Sequence, residues 1–210
     1  MRKALLLLAA LTLALTTAGA QTARSVLDQT AAKLKAAGGV KATFQATTFD
    51  GAEAGGSESG TIYIKGRMFH IDSPRLLTWF DGTTQWSYLE GSGEVNVSHP
   101  TEAELQSMNP YTFVDLYKQG YRSSLKSATL RGKDCYEVSL VATDSRKAIR
   151  QMVLTLEKGS LAPLCVRLRQ DDDRWTRISI YDYTPGQSWK DDFFRFPQQD
   201  YPQAEIIDLR

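Results

Sequence analysis

The sequence has few of the residues that build metal and nucleophile sites. Its 210 residues include two histidines, His70 and His99, and neither lies in an HExxH, a CxxC or another metal-ligand spacing. It contains no Gly-x-Ser-x-Gly elbow and no glycine-rich loop of the kind that holds phosphates. Ser123 and Lys126 match Ser-x-x-Lys, but the companion motifs of the β-lactamases are missing. These absences predict a protein without catalytic residues, bound metal or cofactor.

Neither positive nor negative charge is in excess. The 25 Lys and Arg residues stand against 24 Asp and Glu residues, which gives a net charge of +1 at pH 7. Proteins that bind nucleic acids or anionic membranes through electrostatics need a concentrated basic face. The balance therefore predicts no nucleic-acid partner and a recognition mode that does not depend on charge.

Long apolar runs are also missing after Ala20. A helix that crosses a bilayer needs a run of about eighteen apolar residues, and none occurs there. The shorter run Ala4 to Leu15 follows two basic residues and precedes Ala18-Gly19-Ala20, the pattern of a cleavable export signal. No cysteine stands at the cleavage site to carry acyl chains. We expect cleavage after Ala20 and a soluble, unanchored mature protein of one domain, residues 21–210.

The two cysteines give competing expectations. An exported protein normally joins such a pair as a disulfide, because its compartment is oxidising. Cys135 and Cys165 lie in two predicted strands, however, with the segment IRQMVLTLEK predicted as a strand between them. Next-nearest strands are about 9.5 Å apart, which exceeds the Cα separation of about 7 Å that a disulfide tolerates. The sequence leaves the disulfide open.

The strongest pattern that is present is an aromatic stretch from Gly60 to Val97. Apolar side chains alternate there with polar ones, and glycine-containing turns separate the runs. The pattern predicts four short antiparallel strands with one apolar face and one polar face. The residues predicted on the apolar face are Ile62, Ile64, Phe69, Ile71, Trp86 and Tyr88.

Helical patterns flank this stretch. Apolar residues recur at three- and four-residue steps from Val26 to Leu34, which predicts an amphipathic helix. Thr101 and Glu104 match a capping box and predict a short helix that ends before Asn109-Pro110. Tyr111 to Tyr117 predicts another short helix.

The remaining segments predict strands and turns. Val40 to Phe49 alternates as a strand, and Asp50 to Ser59 predicts a flexible connection. More strands follow between Ser127 and Tyr183, with Asp171 to Asp173 as a hairpin turn, since that run lacks the spaced ligands of a calcium loop. The predicted fold is mainly β (α+β), one strongly curved antiparallel sheet of about ten strands covered by two or three helices.

The apolar face of the aromatic stretch has two interpretations. Alternating aromatic residues on a strand are usually core residues packed under helices. A strongly curved sheet of this size encloses more volume than two short helices fill, however, and large barrels often keep a ligand cavity. Aromatic and methionine side chains also suit a surface that accepts varied acyl chains. The sequence pattern by itself is compatible with both interpretations.

Short motifs along the chain occur in a specific order. They are G-x-I-Y-I-K, M-F-H-I-x-S-P, L-L-T-W-F-D-G, W-S-Y, N-P-Y-T-F, Q-D-D-D-R, F-R-F-P and I-I-D. In order and spacing the chain resembles the LolA family of periplasmic lipoprotein carriers, from the first predicted helix to the C terminus. The resemblance implies an incomplete antiparallel β-barrel with a helical lid over an apolar cavity.

The resemblance also implies roles for individual residues. Phe69 corresponds to the cavity-facing phenylalanine of the family, Ile71 to the next inward position and Phe44 to the phenylalanine of the first strand. Trp86 and Tyr88 match the aromatic pair after the Asp-Gly turn. We expect the acyl-chain cavity to consist of Phe44, Ile62, Ile64, Phe69, Ile71, Trp86, Tyr88, Val138 and Leu140.

The lid of the family implies a second set of residues. The family has Lys-Arg-Pro where this chain has Lys65-Gly66-Arg67. The arginine of that motif, which forms hydrogen bonds to the lid in the family, therefore corresponds to Arg67 with a shift of one residue. We expect Met108, Phe113 and Leu116 to be the apolar plugs of the lid.

The function that the resemblance implies is that of a soluble periplasmic chaperone that shuttles acylated lipoproteins from the inner to the outer membrane. The expected partners are acylated lipoproteins, an inner-membrane lipoprotein-releasing transporter and an outer-membrane receptor, and the expected state is a monomer. The missing lipid anchor favours the shuttle over a receptor. The alternatives are a periplasmic carrier or sensor of another lipophile, such as a glycolipid, and an exported hydrolase.

Overall fold

A computed structural model of the protein describes residues 21–108, 116–118, 120–170 and 174–210. The predicted export signal, Phe113 with most of its predicted helix, and the predicted turn Asp171 to Asp173 lie outside the described residues. The α-helices in the described part are α1 (Ala23–Ala36) and α2 (Glu102–Met108). The strands are β1 (Gly39–Asp50), β2 (Glu53–Lys65), β3 (Met68–Asp72), β4 (Leu76–Phe80), β5 (Gln85–Leu89), β6 (Glu94–Ser98), β7 (Tyr121–Leu130), β8 (Lys133–Ala142), β9 (Ile149–Glu157), β10 (Pro163–Gln170), β11 (Trp175–Pro185) and β12 (Glu205–Asp208).

The twelve strands form one sheet in the order β12-β6-β5-β4-β3-β2-β1-β11-β10-β9-β8-β7. Neighbouring strands are antiparallel except for β12, which pairs with β6 in parallel. The sheet is long and curved, and it does not close into a barrel because β7 and β12 remain as edges. This confirms the predicted fold class. The aromatic stretch contains the end of β2 and all of β3 to β6, one strand more than predicted.

The connection predicted as flexible between Asp50 and Ser59 is instead a paired strand. β2 begins at Glu53 and continues the β1 hairpin, with Thr47 opposite Ser57 and their hydroxyl oxygens 3.1 Å apart. The prediction is wrong because small and charged side chains report exposure to solvent, whereas the backbone of this segment pairs with β1.

One face of the sheet, the inner face, carries the main hydrophobic core. Alternate residues of β1 to β3 and of β8 to β11 contribute to it, and α1 buries Val26 and Leu27 completely against them. Burial of each such side chain is worth roughly 1.5–3 kcal/mol. The hydroxyl of Thr22 accepts a hydrogen bond of 3.1 Å from the backbone N–H of Ser25 and caps α1. The helix predicted from Val26 to Leu34 is thereby confirmed.

The opposite, outer face of β2 to β5 is covered by the C-terminal segment, residues 186–210. This segment contains two short 3₁₀ helices, Asp191–Phe194 and Gln198–Asp200, and then β12. Its aromatic rings pack on those of the sheet to form the outer aromatic cluster, which consists of Tyr63, His70, Trp79, Tyr88, Trp189, Phe193, Phe196 and Tyr201. Lys65 Nζ fixes the segment with hydrogen bonds of 2.8 Å to the Trp189 carbonyl and 2.7 Å to Asp191.

The two cysteines are free and buried. Cys135 lies on β8 and Cys165 on β10, and β9 separates the two strands as the sequence predicts. Burial raises the pKa of the Cys165 thiol. In the part of the chain that the structure describes, no helix is both long and apolar enough to cross a membrane.

Candidate functional site

The inner face holds a small apolar cavity beside α2. Its volume is about 40 Å³, and its lining consists of Ala42, Phe44, Ile62, Ile71, Met108, Ile178 and Ile180. We call this site the inner-face cavity. Every lining side chain is a hydrocarbon or a thioether, so the cavity offers dispersion contacts and no polar side-chain partner. A water molecule needs roughly 10–15 Å³ by this measure, whereas pockets that enclose small ligands measure roughly 300–1,000 Å³. The inner-face cavity is therefore closed in this conformation.

Strand register brings the lining residues together. Ala42 lies opposite Ile62, and Ile62 lies opposite Ile71, so β1, β2 and β3 each contribute one residue to a single row. On the other side of β1, Phe44 lies opposite Ile180 of β11. Because directly opposed residues of antiparallel strands project from the same face, these rows form a continuous apolar surface.

Met108 covers this surface as the last residue of α2. The helix begins with the predicted capping box, which is confirmed: the Glu104 carboxylate accepts from the Thr101 backbone N–H at 2.7 Å, and the Thr101 hydroxyl accepts from the Glu104 N–H at 3.3 Å. The Thr101 backbone N–H and the Thr101 hydroxyl, which also donates to the carboxylate at 2.8 Å, hold the pKa of Glu104 below its ordinary value. Leu105, on the same helix face as Met108, is 5% exposed and belongs to the core. The capping box and Leu105 together orient Met108 toward the cavity.

Phe44 lies at the rim of the inner-face cavity. It also lines an open cleft of about 810 Å³ that includes Gly60, Asp72 and Pro74. A Cβ atom added at Gly60 would lie 2.5 Å from the Asp72 carbonyl oxygen and 3.1 Å from the Phe44 ring. Gly60 is therefore required by the close approach of β3 and of the Phe44 ring.

The predicted site residues fall into distinct groups. Phe44, Ile62, Ile71 and Met108 line the inner-face cavity. The residues Ile64, Phe69, Leu116, Val138 and Leu140 belong to the buried core on the same face without lining the cavity. Phe113 lies outside the described residues. The sequence analysis missed Ala42, Ile178 and Ile180, although the alternation in β11 marks the last two as one face of a strand.

Trp86 and Tyr88 do not share a face with Phe69 and Ile71, so the prediction of one common apolar face is wrong. Trp86 lies opposite Trp79, which lies opposite His70 of the outer aromatic cluster. The inner-face positions of β5 are Gln85, Ser87 and Leu89, because the register runs from Phe69 through Phe80 to Gln85. Alternation divides the residues of a strand into two sets on opposite faces. The turns between strands decide which of the two sets lies on the inner face of the sheet.

Arg67 contacts the lid helix at its first residue. Its guanidinium forms an ion pair with the Glu102 carboxylate, and the two side chains are 66% and 67% exposed. Ion pairs at such exposure are worth about 0–1 kcal/mol because solvent screens them. Arg67 therefore contacts α2, but the position of α2 depends mainly on the burial of Leu105 and Met108.

His70 is the histidine of the outer aromatic cluster. Its ring stacks on Tyr63 at 5.5 Å and on Trp79 at 4.8 Å, and its Nδ1 donates to the Thr78 carbonyl at 3.0 Å. Burial lowers the pKa of His70. Within the described residues, no cluster of His, Cys, Asp and Glu side chains is arranged to hold a metal ion.

The sequence and the fold were compared with known proteins. Residues 13–172 match the family described as outer membrane lipoprotein carrier protein LolA. The chain belongs to the LolA family. This family is the one that the sequence motifs resemble, and the curved open sheet with its α-helices is a LolA-like fold. The comparison with curated proteins gives no match.

Solved structures share the fold at low sequence identity. A conserved uncharacterised protein from Thermus thermophilus superposes with a TM-score of 0.59 at 12% identity, over 89% of this chain and 98% of that chain. A LolA superfamily protein from Nitrosomonas europaea gives a TM-score of 0.45 at 11% identity, over 84% of this chain and 99% of that chain. At these identities the likeness concerns the fold.

Proposed function

We propose that the protein is a soluble periplasmic carrier that binds the acyl chains of lipoproteins in the inner-face cavity and shuttles them from the inner to the outer membrane. The observation that carries this proposal is an entirely apolar cavity, closed by Met108 of α2, in a chain of the LolA family. The carrier performs no catalysis. Its partners are an inner-membrane transporter that releases lipoproteins and a receptor at the outer membrane.

Binding requires α2 to move away from the sheet. The cavity of about 40 Å³ does not accept an acyl chain while Met108 fills it. Each methylene that leaves water is worth roughly 0.8 kcal/mol, so a bound chain would displace Met108 and Leu105 readily. Met108 of α2 and the acyl chain compete for the same site. This competition lowers the net affinity of the protein for its cargo and makes release possible.

Native mass spectrometry of the exported protein tests the identity of the cargo. We expect triacylated peptide to co-purify with the protein. A co-purified free lipid without a peptide would favour a carrier of another lipophile, and turnover of ester substrates would favour an exported hydrolase. Either result would contradict lipoprotein shuttling.

Substitution of Ile71 tests the location of the site. Ile71→Glu places a carboxylate on the wall of the inner-face cavity, where an acyl chain cannot solvate it, and we expect bound acylated peptide to fall at least about tenfold. Ile206→Glu is the matched control, because Ile206 is 43% exposed on β12. Ile71→Asn serves if the glutamate variant does not fold. Equal binding by folded Ile71 and Ile206 variants would contradict the assignment.

A further inference from the structure

Two rows of residues on the inner face change from apolar side chains on β3 to polar side chains on β5 and β6. The row that includes Ile71 of the inner-face cavity continues through Thr78 and Ser87 to Asn96. The neighbouring row continues from Phe80 through Gln85 to Ser98. We call the five uncharged residues on these rows the polar strip, and they are Thr78, Gln85, Ser87, Asn96 and Ser98. The strip and the cavity are parts of one continuous sheet face.

The polar strip is shielded from solvent. Thr78 is 3% exposed, and the other four residues are partly buried. A buried polar group costs free energy unless it is hydrogen-bonded. Within the strip this cost falls on Thr78 and on the buried Oε1 of Gln85.

Gln85 has an unused hydrogen-bonding atom. Its Nε2 donates to the Ser87 hydroxyl at 3.1 Å, and its buried Oε1 accepts no hydrogen bond from the described residues. Rotation of the amide by half a turn would exchange the two atoms and leave the nitrogen without an acceptor instead. Either orientation therefore leaves one polar atom of Gln85 available to a ligand.

The polar strip lies directly beside the inner-face cavity. Thr78 lies one strand away from Ile71 and Ser87 lies two, which correspond to about 5 and about 10 Å at the usual strand spacing. An acyl chain in the cavity would thus bring its ester or amide linkage onto the polar strip. The strip has no charge of its own to offset that of a charged head group.

We propose that the polar strip binds the uncharged head of an acylated ligand, with Gln85 accepting a hydrogen bond from an N–H or O–H group next to the acyl linkage. The inference rests on the proposed function, since it assumes that acyl chains occupy the inner-face cavity. The ligand chemistry is an acyl chain joined to an uncharged hydrogen-bond donor, which an acylated N-terminal peptide and a glycolipid both present.

Gln85→Leu tests the proposal with three probes. They are a diacylglyceryl-cysteine peptide amide, monopalmitoylglycerol and diphenylhexatriene, a hydrocarbon without polar groups. We expect the variant to bind the peptide at least about fivefold more weakly than the wild type does, with unchanged binding of diphenylhexatriene. Loss for monopalmitoylglycerol as well would assign the contact to any donor beside the acyl linkage, and loss for the peptide alone would assign it to the peptide N–H.

Gln151→Leu is the matched control, because Gln151 Nε2 donates to the Ser139 hydroxyl at 3.3 Å on the outer face. Unchanged affinity of Gln85→Leu for both polar probes, with normal binding of diphenylhexatriene, would overturn the proposal and leave the proposed function intact. Failure of the wild type to bind any acylated probe would overturn both. Gln85→Met, which keeps a similar volume without an amide, provides a second variant and should weaken binding of the peptide as Gln85→Leu does; unchanged peptide affinity in both folded variants would overturn the proposal.

Discussion

His70 couples protonation to folding through its burial in the outer aromatic cluster. The ring lies between Tyr63 and Trp79, and burial disfavours its charged form, which lowers the pKa below the ordinary value of 6.5. The unfolded chain therefore binds a proton on His70 at a higher pH than the folded chain does. The stability that neutral His70 contributes is complete above about pH 6.5 and decreases as the pH falls below that value.

We expect the free energy of unfolding to decrease between about pH 7 and about pH 5, with part of the slope removed by His70→Gln. Urea unfolding at several pH values measures the slope. Thr78→Ser, which keeps the carbonyl that accepts from His70 and leaves the histidine in place, is the control and should keep the slope of the wild type. A slope that is equal in the wild type and in the His70 variant would contradict the coupling.

At the scale of elements, α2 is a helix whose stability comes from its contacts. With seven residues it is too short to be stable alone, since isolated helices below about 12 residues are marginal in water. It depends on the capping box at Thr101 and on the burial of Leu105 and Met108. An element with so few contacts opens more easily than the sheet beneath it.

We expect Thr101→Ala to increase hydrogen exchange of the α2 amides about fivefold, because loss of an N-cap costs roughly 1 kcal/mol. Exchange in α1 should not change. Thr22→Ala, which removes the matching cap of α1, should do the reverse. Hydrogen exchange read by mass spectrometry separates the two helices. Equal acceleration of hydrogen exchange in both helices by each variant would show that α2 does not open independently of α1.

At the scale of the whole molecule, the C-terminal segment makes the outer face of β2 to β5 part of the protein interior. Trp79 is 5% exposed, Phe194 is fully buried, and β12 extends the sheet beyond β6. Ion pairs of Lys65 with Asp191 and of Arg195 with Asp81 add to the aromatic contacts that hold the segment on the sheet. The C-terminal segment therefore covers the outer face of β2 to β5, whereas the inner face of the sheet carries the main core.

Deletion of residues 187–210 should uncover the outer aromatic cluster. We expect a lower unfolding temperature, a red shift of tryptophan emission and self-association, because a large exposed aromatic patch promotes contact between molecules. Deletion of residues 205–210 alone removes β12 but keeps the aromatic cover, and it is the control. A truncated chain that stays monomeric with an unchanged unfolding temperature would show that the segment adds no stability.

Local patterns predicted most of the elements. Periodicity located α1, β1 and the strands from β8 to β11, and the capping box located α2, because each pattern depends on neighbours along the chain. The main error within the strands was the side of the sheet on which Trp86 and Tyr88 lie. Turn geometry fixes that choice, and one residue of register exchanges the two faces.

Residues brought together by long-range pairing were the hardest to predict. Ile178 and Ile180 reach the inner-face cavity because β11 pairs with β1, although more than a hundred residues separate the two strands. The parallel pairing of β12 with β6 has no local signal either. Such contacts depend on the order of strands in the sheet, which a residue pattern does not contain.

The sequence by itself determined the family, the predominance of strands, the position of the capped helix α2 and the apolar character of the face that includes Phe44, Ile62 and Ile71. Each follows from residue type and spacing along the chain. Only the tertiary structure decided which side of β5 faces the cavity, that Met108 closes it, and that Gln85 and Ser87 extend the same face with polar groups. These features arise from strand register, because register places residues that are distant in the chain beside one another.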